Sequence, residues 1–104
     1  MSNIDETINE YFEEWNKHIS NIPELEADLK TKKEKLFDLK MKEDGKVDYN
    51  DIYGKNNDKV RDAHYKKVFS QEYIDIRNLD KSIDFAKRRI DFIKLRIKHL
   101  ISLK

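Results

Sequence analysis

The chain has no cysteine, two glycines and one proline among its 104 residues. Without cysteine there is no disulfide, no thiolate nucleophile and no Cys-based zinc site. Two glycines cannot build a Gly-rich phosphate loop, so the common NTP and dinucleotide motifs are excluded. Such scarcity also leaves almost no material for sheets or tight hairpin turns. No apolar run approaches the ~18 residues that span a bilayer. The acidic, polar start Met1-Ser2-Asn3-Ile4-Asp5-Glu6 does not read as a signal peptide. These absences predict a cytoplasmic protein with no membrane partner.

What is abundant is charge, 41% of the chain against 38% hydrophobic residues, a balance suited to long exposed helices. Ile8, Trp15, Ile22, Leu29 and Leu36 recur every seventh residue, and Phe69, Ile76, Ile83, Ile90 and Ile97 repeat that spacing in the last third. Leu79, Ala86, Ile93 and Leu100 follow three residues behind the second series. A sustained repeat of seven lays one apolar seam along a helix and asks for a partner helix to cover it. The expectation is an all-α fold: a single domain over 1–104, an antiparallel helical hairpin of two long heptad-patterned helices in a coiled-coil oligomer. The first helix is expected over 3–41 and the second over 58–103, joined by a connector over 43–57 that holds Gly45, Gly54 and Asn56-Asn57. Pro23 lacks an N–H and clashes with the preceding turn, but the seam keeps its phase across it, which predicts a kink and not a break.

Net charge is +1, and it is unevenly spread. Residues 1–29 carry eight acids and Lys17, a net of −7, while 30–67 and 68–104 each carry +4. An antiparallel second helix would set its bases against the acids of the first. Both seams widen toward the end that holds the termini, through Tyr11, Phe12 and Ile19 beside Trp15 and through Phe85, Phe92 and Leu95. Apolar surface of that kind predicts an oligomer interface formed by these seven residues. His18 and Lys32, polar residues on the seam, would help fix its register.

Chemistry finds little support. Asp44-Gly45-Lys46-Val47-Asp48-Tyr49-Asn50-Asp51 matches half of a calcium loop, but Lys40 and Lys42 stand where the first ligands belong. No two of His18, His64 and His99 share the i, i+4 spacing of a helical metal pair. No nucleophile–base arrangement can be argued. The expectation is a protein that is not an enzyme, with no metal, no cofactor and no small-molecule substrate.

The loop end is basic and aromatic. Lys30, Lys33, Lys40 and Lys42 crowd the end of the first helix, and Lys55, Lys59 and Arg61 the start of the second. Phe37, Tyr49, Tyr53 and Tyr65 are interleaved with them. Single-stranded nucleic acid needs phosphate neutralisation and aromatic faces for unpaired bases. The candidate strand-binding set is therefore Lys30, Lys33, Lys40, Lys42, Tyr53, Lys55, Lys59 and Arg61.

Three stretches resemble the UvsY-type recombination mediator proteins of large tailed phages. Trp15-Asn16-Lys17-His18 is similar to that family's tryptophan followed by Asn-Lys-His. Leu39-Lys40-Met41-Lys42 is similar to its strand-contacting Leu-Lys-x-basic stretch, with Tyr53-Gly54-Lys55 after it. Phe92-Ile93-Lys94 with Ile97-Lys98-His99-Leu100 resembles a basic-apolar stretch late in its second long helix. The resemblance implies a small helical oligomer in the cytoplasm of an infected host. Such a protein would bind single-stranded DNA and assist recombination or replication beside a recombinase and a single-strand binding protein. The competing expectation is a protein-interaction module, an inhibitor or adaptor of a host protein, that binds no nucleic acid.

Overall fold

A computed structural model describes residues 3–46 and 58–104, and these are helical almost throughout. Helix α1 spans Asn3–Lys46, α2 spans Asp58–Val68 and α3 spans Ser70–Ser102. Acids open each helix (Asp5 and Glu6, Asp58, and Glu72), while Lys66 and Lys67 close α2 and His99 closes α3. This placement complements the helix dipole. No helix among the described residues is long and apolar enough to cross a membrane.

The boundaries differ from the sequence expectation in two places. Helix α1 continues beyond Met41 to Lys46, through Gly45. Glu43 and Asp44 account for the extension, because both find partners on α2. The Glu43 carboxylate lies 3.3 Å from His64 Nε2, and the Tyr65 hydroxyl donates to Asp44. The expected second helix is divided into α2 and α3 at Phe69. Its hydrogen-bond ladder still crosses that point: the Phe69 N–H donates to the Tyr65 carbonyl at 2.8 Å and the Tyr73 N–H to the Phe69 carbonyl at 3.1 Å.

Packing divides the chain into two compact units. The first joins α1 up to Ala27 with α3 from Leu79 onward; the second joins α1 from Asp28 with α2 and α3 as far as Asn78.

In the first unit the two helices run antiparallel, since Asp5 meets Lys104, Tyr11 meets Phe92, Glu14 meets Arg89 and His18 meets Phe85. Its core is Ile8 with Ile93, Ile97 and Leu100, flanked by Ile4, Tyr11 and Trp15. On α3, Ile83, Ala86, Ile93, Ile97 and Leu100 are buried at intervals of three, four or seven residues, so one stripe of the helix is covered. Among the described residues of the second unit, Leu36 and Tyr65 are the buried hydrophobic side chains.

Pro23 stands inside α1 and is exposed, and the helix is continuous through it. Its ring removes one backbone hydrogen bond and lies outside the buried core. Pro23→Ala is expected to raise helicity and melting temperature, because an interior proline costs ~3 kcal/mol relative to alanine. Circular dichroism with a thermal melt reads this directly. A lower melting temperature would mean that the helix path set by Pro23 is required for packing.

Candidate functional site

The strand-binding residues expected from the sequence are not equivalent in the structure. Lys40 is half-buried and turned onto two tyrosines, its Nζ 5.3 Å from the Tyr65 ring centroid and 5.1 Å from that of Tyr73. A cation over an aromatic face is held by the ring quadrupole, more strongly when water is excluded. The same Tyr65 donates its hydroxyl to Asp44 and stacks on Phe69, with centroids 6.4 Å apart at 26°. Lys40 thus joins the packing of the second unit, with its charge directed inward. Arg61 is half-buried and engaged.

Lys30, Lys33, Lys42 and Lys59 are exposed. Tyr53 and Lys55 lie outside the described residues, as do Val47-Asp48-Tyr49-Asn50-Asp51 of the calcium-like stretch. Among the described residues no group of His, Asp and Glu is placed to hold a metal ion. One aromatic absent from the expected set stands out: Phe37 is 59% exposed on α1. Lys30, Lys33, Phe37 and Met41 follow one another at spacings of three, four and four, all exposed, so they share one face of the helix. The spacing was readable beforehand; that Phe37 stays uncovered was not.

The first unit carries the best-formed polar cluster. Glu14 receives two hydrogen bonds from Arg89, Nε at 2.8 Å and Nη2 at 2.7 Å, and lies 3.0 Å from the His18 ring. The paired fork of a guanidinium on a carboxylate is the stronger form of ion pair. The hydrogen bonds from Arg89 hold the Glu14 carboxyl at about 2, against an ordinary 4.5, with a smaller contribution from His18 and a partial opposing effect of burial.

Around this cluster the seven expected interface residues separate by exposure. Tyr11 and Trp15 are half-buried against the core. Phe12, Ile19, Phe85, Phe92 and Leu95 remain exposed. Phe85 meets His18 edge-on at 6.4 Å, and Phe92 meets Tyr11 edge-on at 6.3 Å while carrying the Arg89 guanidinium on its face. Phe12 instead stacks on Trp15 at 6.0 Å, and the Lys94 ammonium sits over that indole.

No family model matches this chain, and neither a curated protein nor a solved structure shows significant similarity to it.

Because the folded-state pKa of Glu14 is depressed, its contribution to stability is complete above about 4.5 and is lost as pH falls toward about 2. Glu14→Gln is expected to cost about 1 kcal/mol at neutral pH, the upper end for a partly exposed pair. It should also flatten that acid limb of the stability curve. Chemical denaturation from pH 7 down to pH 2 checks both, and an unchanged acid limb in the variant would contradict this role.

Proposed function

We propose that this protein is an oligomeric coiled-coil hairpin that binds single-stranded DNA through one face of α1 and assists phage-type recombination or replication. The observation that carries the reading is the exposed Phe37, set between Lys30, Lys33 and Met41 on one helical face. Two ammonium groups there would neutralise phosphates, and the ring would stack an unpaired base. Repetition of a modest patch across an oligomer would add avidity. Lys42 lies round the helix from this face and Lys40 is held by its tyrosines, so neither is central to the contact.

A second reading has its own observation. The exposed Phe12, Ile19, Phe85, Phe92 and Leu95 suit a protein-interaction module that binds no nucleic acid.

The two are separated by titrating labelled oligo-dT. Binding is expected to weaken steeply with salt, with a logarithmic slope near −0.7 per phosphate contact on a single strand. Charge reversal at Lys30 and Lys33 should weaken binding with helicity unchanged, and Phe37→Ala should cost ~1–3 kcal/mol. Glu34→Gln, which removes an acid beside Lys33, should tighten it. Absence of binding to oligo-dT at low salt would exclude the strand-binding reading in favour of the second.

A further inference from the structure

The exposed apolar residues of the first unit lie on two different flanks, and this geometry specifies how copies of the chain would associate. On α3, Lys87 and Lys94 each follow Phe85 and Phe92 by two residues, which is about 200° around a helix. Phe85 and Phe92 meet His18 and Tyr11 of α1, whereas Lys87 meets Glu26 and Lys94 covers Trp15. The pair therefore has one flank marked by Phe85 and Phe92 and an opposite flank marked by Trp15, on which Phe12 stacks. Ile19, seven residues from Phe12, continues that second flank on α1.

Each flank carries a second stripe at spacings of three and four. On α3 it reads Lys81, Phe85, Arg88, Phe92, Leu95 and His99; on α1 it reads Phe12, Asn16, Ile19, Pro23 and Glu26, with Asp5 one heptad before Phe12. The α3 stripe is apolar with the bases Lys81 and Arg88, the latter in an exposed pair with Asp84 one turn back at 3.0 Å, and the α1 stripe is apolar with the acids Asp5 and Glu26. Set antiparallel, in the sense the helices already use within the unit, Phe12 faces Phe92, Asn16 faces Arg88 and Ile19 faces Phe85. Glu26 then falls near Lys81 and Asp5 near His99. The ion pairs that Asp5 and Glu26 make within the chain, to Lys104 and Lys87, join exposed side chains, and such pairs are weak enough to be shared or exchanged.

We infer that the partner of these faces is a second copy of this chain, docked head-to-tail, with the acidic α1 stripe of one copy on the basic α3 stripe of the next. Charge complementarity and matching spacing select this partner. Because the two stripes lie on opposite flanks, one contact leaves a free α1 stripe on one copy and a free α3 stripe on the other. The contact is heterologous, and it closes into a ring or continues as a chain of copies, where a two-fold interface would stop at a dimer. The inference rests on the oligomeric part of the proposed function and is independent of nucleic acid.

Ile19→Lys spoils only the α1 stripe and Leu95→Glu only the α3 stripe, and both side chains are exposed, so each variant should stay helical. Light scattering of the wild type at tens of micromolar is expected to give a mass above a dimer, decreasing with added salt. Each variant alone should be monomeric, and an equimolar mixture should form a one-to-one dimer that grows no further. A variant that still assembles like the wild type, or a mixture that stays monomeric, overturns the head-to-tail contact. A monomeric wild type overturns oligomerisation itself. The oligo-dT titration, repeated on the monomeric variants with Lys30, Lys33 and Phe37 intact, reads the strand-binding proposal separately.

Discussion

A helix paired with one neighbour can bury only one stripe of its surface, and this limit governs the first unit of the molecule. Ile8, Ile93, Ile97 and Leu100 form a narrow core, with Ile93 the one side chain among the described residues that is large and fully sealed from solvent. The side chains one step around either helix cannot reach that core. Phe12 and Ile19 on α1, and Phe85, Phe92 and Leu95 on α3, are large, apolar and in part exposed for this reason. Burying such side chains is worth ~1.5–3 kcal/mol each. A two-helix pair that leaves them exposed would gain stability from any further surface that covered them.

Electrostatics work at the same seam in a more specific way. Glu14 is held between Arg89 and His18 where α1 and α3 meet, and it fixes the longitudinal position of one helix on the other. An apolar stripe alone tolerates sliding by a heptad, whereas a two-pronged guanidinium–carboxylate contact does not. The corresponding contacts in the second unit are Glu43 with His64 and Asp44 with Tyr65. Lys40 belongs to this second set, through the rings of Tyr65 and Tyr73. Its positive charge serves folding there, which shifts the candidate strand-binding face toward Lys30, Lys33 and Phe37.

The all-helical class was legible because scarce glycine and proline and a sustained apolar spacing all point to helices. The helix ends were less legible. Gly45 looks like a connector residue, and only the partners of Glu43 and Asp44 on α2 show why the helix runs through it. Phe69 fits the apolar spacing of a continuous helix, so its role at the division between α2 and α3 left no mark in the sequence. In the candidate site, a run of lysines carries no information about direction. Lys30 and Lys40 read alike, yet one points to solvent and the other onto two tyrosine rings. Lys40 needed its neighbours across the helix pair, which spacing along one helix cannot supply.

The central claim is that the first unit completes its burial by association, with strand binding as a separate property of the other unit's α1 face. If folding and association are coupled in this way, mass action makes stability depend on protein concentration. The most direct measurement is the thermal midpoint recorded by circular dichroism across a hundredfold range of protein concentration, without nucleic acid. The account predicts a midpoint that climbs steadily with concentration. A midpoint that stays constant across that range would contradict it.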